Sequence, residues 1–155
     1  MIAYADTNFL TALISTGEHG DEAQRLRQAA INGDAPPFPV TFLTRMEVIN
    51  AIYQQVFFTR NGVPGIHASP EAATIDESLF LDELELGETM MDAEIDTVLL
   101  REMFGALARR FTIQHGFRAY DIIHVASARL LGCDTFWSFD ARAKKLARLE
   151  GLKVN

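Results

Sequence analysis

The chain has 155 residues, 48% of them hydrophobic and 23% charged, with 10 Gly, 5 Pro and a single Cys. This is the composition of one globular domain, long enough to bury a proper core. One cysteine, Cys133, excludes an internal disulfide, and no Cys/His cluster has zinc spacing, so the sequence suits a reducing, cytoplasmic setting. The opening Met1-Ile-Ala-Tyr-Ala-Asp6 has no basic leader region, and no apolar run reaches the roughly 18 residues of a spanning helix, which argues against secretion and membrane insertion. The net charge of −7 is unevenly spread. Gly62 to Leu100 carries 10 acidic residues and no Lys or Arg, whereas Arg109 to Asn155 carries 9 basic and 4 acidic residues.

In chain order, Ile2 to Ala5 is a short apolar run ending in Asp6 and predicts a strand. Helical stretches follow at Asn8 to Ile14 and Asp21 to Ala30. Asn32 to Pro37 is a loop by its turn chemistry, Phe38 to Leu43 a second buried strand, and Thr44 to Phe58 a helix. Asn61 to Gly65 breaks the chain, and Ser69-Pro70-Glu71 starts an acidic helix that packs through Ile75, Leu79 and Phe80. Ile95 to Gln114 places Ile95, Leu99, Met103, Leu107 and Phe111 on one face and is closed by Gly116. Then come a helix over Ile122 to Leu131, a strand over Thr135 to Phe139, a basic helix over Ala141 to Glu150 and a final strand at Leu152 to Val154. Short apolar strands separated by helices predict an α/β fold, a three-layer α/β/α arrangement with a central parallel sheet. Residues 1–155 read as one domain with an acidic helical insert around 62–94.

Four carboxylates fall at the ends of elements: Asp6 after the first strand, Glu47 in the first turn of the helix after the second, Asp121 at the start of a short helix, and Asp140 after the strand at 135–139. Ligands in such sheets bind beyond the carboxyl ends of the strands, where Asp6, Glu47 and Asp140 can converge, joined by Asp121 if its helix starts on the same edge. Each position also suits helix capping, and Thr44-Arg-Met-Glu47 fits a capping box, so position alone does not separate the two roles. A cluster of carboxylates is tolerated where a cation neutralises it, and oxygen-only ligands suit Mg²⁺ or Mn²⁺. Such an ion polarises a phosphodiester and activates water.

Tyr4-Ala-Asp6-Thr-Asn8, Thr44-Arg-Met-Glu47-Val-Ile-Asn-Ala51, Tyr120-Asp121-Ile-Ile-His124-Val-Ala-Ser-Ala128 and Phe136-Trp-Ser138-Phe-Asp140 resemble, in that order, the motifs of the PIN-domain ribonucleases. The resemblance spans nearly the whole chain and is nearest to the VapC-type toxins of bacterial toxin–antitoxin pairs. It implies a PIN-like fold, Mg²⁺- or Mn²⁺-dependent endoribonuclease activity, a homodimer, and an antitoxin whose carboxy-terminal segment covers the pocket. By position, Asp6, Glu47, Asp121 and Asp140 match the acidic metal-site residues, and Asn8 and Ser138 match polar neighbours that support them. The stretch from Gly62 to Glu94 is longer and more acidic than in compact toxins.

Other residues admit two readings. His124 lies near Asp121 on the helix and is either a base or ligand or, more commonly for such a setting, a packed and hydrogen-bonded core histidine. Arg142, Lys144, Lys145 and Arg148 either position RNA phosphates or form a solvated face. Trp137 and Phe139 suit core packing, Tyr120 either base stacking or packing, and Cys133 a buried apolar role. Competing functions are a phosphatase with an aspartyl nucleophile at Asp6, whose usual second Asp is here Asn8; a receiver domain, whose phospho-accepting Asp belongs after a later strand; and a non-catalytic protein-binding module whose acids only cap helices.

Overall fold

Short parallel strands carry the fold, and the two central to the site, those over Ala3–Ala5 and Thr135–Trp137, are buried on both faces. The structure is a computed structural model that describes residues 1–15 and 19–155. Its elements are β1 (Ala3–Ala5), α1 (Thr7–Ile14), α2 (Gly20–Asn32), β2 (Phe38–Val40), α3 (Phe42–Arg60), α4 (Pro70–Leu86), β3 (Met90–Asp92) and α5 (Thr97–Leu107). A π-helical stretch (Ala108–Thr112) then leads into α6 (Ile113–His115), α7 (Ala119–Leu130), β4 (Thr135–Trp137), α8 (Ala141–Leu149) and β5 (Lys153–Val154). Strands β1, β4 and β5 form one parallel ladder in that order, β2 and β3 form another, and β2 packs beside β1.

Alternation along the strands sorts the core into two layers. Ala3, Ala5 and Trp137 face a cluster built from α1 to α4 and the β2–β3 pair, including Phe9, Phe38, Val48 and Phe80; Tyr4 and Phe136 face a second cluster built from α5, α7 and α8, including Val125 and Leu146. Trp137 is wedged edge-on against Phe9 and Phe38 at centroid separations of 5.1 and 5.2 Å, a geometry that aromatic quadrupoles favour. Cys133 is buried, and burial pushes its thiol up to about 11, which makes it an inert apolar filler. No described helix is long and apolar enough to cross a membrane.

The three-layer arrangement expected from the sequence is present, with differences at particular elements. The second strand ends at Val40 instead of continuing to Leu43, because Thr41 caps α3: its hydroxyl accepts from the Thr44 N–H at 3.3 Å. Thr44 is therefore inside the helix, and Glu47 lies in the second turn, beyond reach of a capping box. Helix α4 starts as expected at Ser69 and Pro70, but it buries Ala73, Phe80 and Leu84 and leaves Ile75 and Leu79 exposed. The long segment after Ile95 buries Leu100, Leu107 and Phe111 and exposes Leu99. Leu100, Leu107 and Phe111 share one helical face, with Leu99 about 100° off it, and an i→i+5 stretch follows at Ala108–Thr112. Strand β3 was not anticipated; it pairs with β2, and Met90 is buried, so the acidic stretch supplies both a strand and core residues.

Candidate active site

The parallel pairing of β1 and β4 brings the residues that follow them to one edge. The Asp6 N–H donates to the Trp137 carbonyl at 3.0 Å, continuing the ladder one step past the strand. Asp6 caps α1 through Oδ1, which accepts from the Phe9 N–H at 3.1 Å. Asp140 caps α8 in the same way, with Oδ1 accepting from the Arg142 N–H at 2.7 Å. Asp121, at the third position of α7, reaches back so that Oδ2 accepts from the Arg118 N–H at 2.9 Å. Three of the four carboxylates thus satisfy orphan donors of helix starts, as the capping argument anticipates.

Capping uses only part of each carboxylate, and the same three side chains line one pocket with Glu47. The pocket, of about 240 Å³, is bounded by Asp6, Thr7, Asn8, Glu47, Arg118, Tyr120, Asp121, His124 and Asp140. Glu47 Oε2 accepts from the Thr7 hydroxyl at 2.5 Å and meets His124 Nε2 at 2.6 Å. His124 Nδ1 lies 3.0 Å from the Tyr4 hydroxyl, which lies 2.7 Å from that of Thr44; Thr44 in turn meets Thr41 at 3.1 Å. A buried polar chain therefore runs from the cap of α3 through the sheet to Glu47. On the opposite side, Arg118 Nη2 donates to Asp121 Oδ1 at 3.0 Å and also to Asp140 Oδ2.

Burial and charge tune these acids in opposite directions. Burial pushes the Asp6 carboxyl up to about 6, outweighing the pull of His124, the Ser138 hydroxyl and the Phe9 N–H. Burial also acts to raise Glu47, but the hydrogen bond and charge of His124, with Thr7 and Arg118, hold it below the usual glutamate value. Asp140 is likewise held low, its partial burial overcome by the Arg142 N–H and by Arg118. Asn8 and Ser138 shape the edge itself: Asn8 Oδ1 accepts from the Phe139 N–H at 2.9 Å, and Ser138 Oγ accepts from the Asp140 N–H at 2.8 Å.

The model of the PIN domain family matches residues 3–149. The chain belongs to the PIN domain family. PIN domains are nuclease domains, and the carboxyl edge just described is where this one gathers its acids. No curated protein sequence matches this one. Among solved structures, the fold resembles that of VapBC2 from Rickettsia felis bound to a DNA fragment from their promoter, at TM-score 0.63 and 15% identity, covering 100% of this chain and 98% of that one. It also resembles VapC20 of Mycobacterium tuberculosis, a Sarcin-Ricin loop cleaving toxin, at TM-score 0.59 and 16% identity, with 92% and 93% covered. FitAcB from Neisseria gonorrhoeae follows at TM-score 0.57 and 14% identity, with 99% and 96% covered.

Among the described residues of this PIN domain, no three Asp, Glu, His or Cys side chains are gathered as a ready-made metal site. The reason is visible in the pairing: Arg118 holds Asp121 and Asp140, and His124 and Thr7 hold Glu47. The donor set nevertheless fits a hard divalent cation, since all four acids offer carboxylate oxygens to one pocket. Sequence reading missed Arg118, Thr7 and Tyr4. Arg118 lies two residues before the Tyr120 that opens the third motif, and an arginine three residues before a carboxylate at a helix start is the signal that could have found it. His124 is the buried, hydrogen-bonded histidine anticipated, yet its Nε2 lies on Glu47 in the pocket wall. Tyr120 is 53% exposed at the rim.

Proposed function

We propose that this chain is a divalent-metal-dependent endoribonuclease that hydrolyses RNA phosphodiester bonds, and that it is the toxin of a toxin–antitoxin pair. The observation that carries the reading is the convergence of Asp6, Glu47, Asp121 and Asp140, from four separate elements, on one pocket at the carboxyl edge of the sheet. Asp6, Asp121, Asp140 and Glu47 would hold Mg²⁺ or Mn²⁺, with Asn8 and Ser138 fixing the loops that carry them. The ion, when bound, supplies Lewis-acid polarisation of the phosphodiester and an activated water. The chain's own residues orient that chemistry: the Tyr4–His124–Glu47 chain fixes one carboxylate, and the helix caps fix the other three.

A second hollow of about 500 Å³ shares Thr7, Glu47 and Tyr120 with the pocket and continues along α3, giving a strand of RNA a path past the acids. Helix α8, capped by Asp140, presents Arg142, Lys145 and Arg148 to solvent, with Lys144 half-buried, and these cations would serve backbone phosphates beside the pocket rather than inside it. The toxin role is supported by the fold shared with VapBC2, VapC20 and FitAcB, and it implies an antitoxin partner. A homodimer would find an apolar surface in the stripe Phe42, Met46, Tyr53 and Phe57 on α3, each 41% or more exposed.

The phosphatase alternative has the weaker support, because the position where a second acid is needed is Asn8, whose side chain is committed to the Phe139 N–H. Cleavage of a mixed cellular RNA pool in Mg²⁺, Mn²⁺ or EDTA tests the proposal against the binding-module alternative. Metal-dependent cuts by wild type, lost in folded Asp6→Asn and Asp121→Asn, are the expected result. Absence of cutting by wild type in either metal across the pool counts against it.

A further inference from the structure

One guanidinium sits where two of the pocket's carboxylates meet. Arg118 Nη2 donates to Asp121 Oδ1 at 3.0 Å and also to Asp140 Oδ2, and its Nε reaches Asp121 Oδ2 at 3.3 Å. The Asp121 side chain is 5% exposed, whereas that of Arg118 is 58% exposed. A nearly buried acid is therefore neutralised by a cation whose stem remains in water. Carboxylates brought together need positive charge, and the planar fork of a guanidinium matches two carboxylates well. These oxygens belong to the donor set that a hard divalent cation would use.

We propose that Arg118 is a built-in counter-ion that competes with the divalent cation for Asp121 and Asp140, so that metal loading and release of Arg118 are one equilibrium. This rests on the metal-site reading of the pocket. Arg118 hydrogen-bonds neither Asp6 nor Glu47, so its release breaks no hydrogen bond on the buried side of the pocket, and Glu47 loses only the longer-range pull of its charge. Its exposed side chain gives up little packing when it leaves. An internal competitor lowers the apparent affinity of the ion by the fraction of chains in which it has let go.

The test is a Mn²⁺ titration of chelator-stripped protein, followed by the electron spin resonance signal of the free ion, with thermal melting in parallel. Wild type, Arg118→Gln and Arg118→Lys are compared at low ionic strength. Arg118→Gln is expected to bind Mn²⁺ at least about fivefold more tightly than wild type, with Arg118→Lys in between. The stripped Gln variant is also expected to melt below stripped wild type, with the gap closing at saturating Mn²⁺. Equal or weaker Mn²⁺ binding by folded Arg118→Gln overturns the inference and leaves the metal reading standing. No Mn²⁺ bound by any of the three overturns both. Should the Gln variant fail to fold, Arg118→Lys decides: tighter binding than wild type supports the inference, and equal or weaker binding overturns it.

Discussion

The two sides of the acidic pocket are held by different physics. On the side of α7 and α8, Asp121 and Asp140 depend on Arg118, an ion pair open to water and therefore weakened by salt. On the side of α3, Glu47 depends on His124, whose side chain is 6% exposed, and His124 depends on Tyr4, which is fully buried. The links from His124 through Tyr4 to Thr44 are hydrogen bonds shielded from solvent, where a lost partner is costly, and the link to Glu47 is part-buried. The contrast teaches that one half of the site is held by an exposed ion pair that can open without repacking, while the other half is fixed by a hydrogen-bonded chain rooted in the core.

The largest expected effect comes from breaking the acids themselves. Asp6→Asn or Asp121→Asn should lower metal-dependent RNA cleavage by at least about a thousandfold. Asn caps a helix about as well as Asp, so circular dichroism of Asp6→Asn should show an intact fold. Next is the pH dependence of the stripped protein. The Asp6 value of about 6 lies above its unfolded value of about 3.9, so folding favours the protonated form. That contribution is complete below about pH 4 and is lost as pH rises through about 6, amounting to roughly 3 kcal/mol. Denaturant unfolding in chelator should show this fall for wild type and not for Asp6→Asn; parallel curves for the two proteins would falsify the assignment.

Smaller effects sharpen the contrast between the two walls. Tyr4→Phe keeps the ring stacked on Phe136 but strips the hydroxyl from His124 and Thr44, and should cost about 1–2 kcal/mol in unfolding experiments with little sensitivity to salt. Thr41→Ala removes the cap of α3 and should cost about 1 kcal/mol by the same measurement. Lys145→Ala, on the exposed face of α8, should leave folding unchanged and flatten the log–log salt dependence of RNA binding by about 0.7.

The fold was largely legible because its strands announce themselves as short apolar runs ended by polar residues, and because capping residues such as Ser69 sit where helix starts need them. Position along the chain also brought Asp6 and Asp140 to one edge, since the end of a parallel strand and the start of the next helix coincide there, whereas Asp121 starts a helix that follows α6 and its arrival at the same edge was only conditional in the sequence. What escaped was set by contacts distant in sequence. Thr41 capped α3 instead of Thr44 because the Phe38 strand pairs with β3 over only three residues. Arg118 drew no notice because its second partner, Asp140, lies 22 residues further on. The burial of Leu100 in place of Leu99 is set by the packing of α5 against α7, where Leu100 joins the cluster of Val125 and Leu146 that local periodicity does not reveal.

The most direct test of the central claim, that these carboxylates both cap helices and hold a divalent ion, is anomalous diffraction from a crystal of the protein equilibrated with Mn²⁺. A single-site or paired anomalous peak in the pocket, within about 2.5 Å of oxygens from Asp6, Asp121 or Asp140, is the predicted result. A pocket without anomalous density at saturating Mn²⁺, with Arg118 still bridging Asp121 and Asp140, would contradict it.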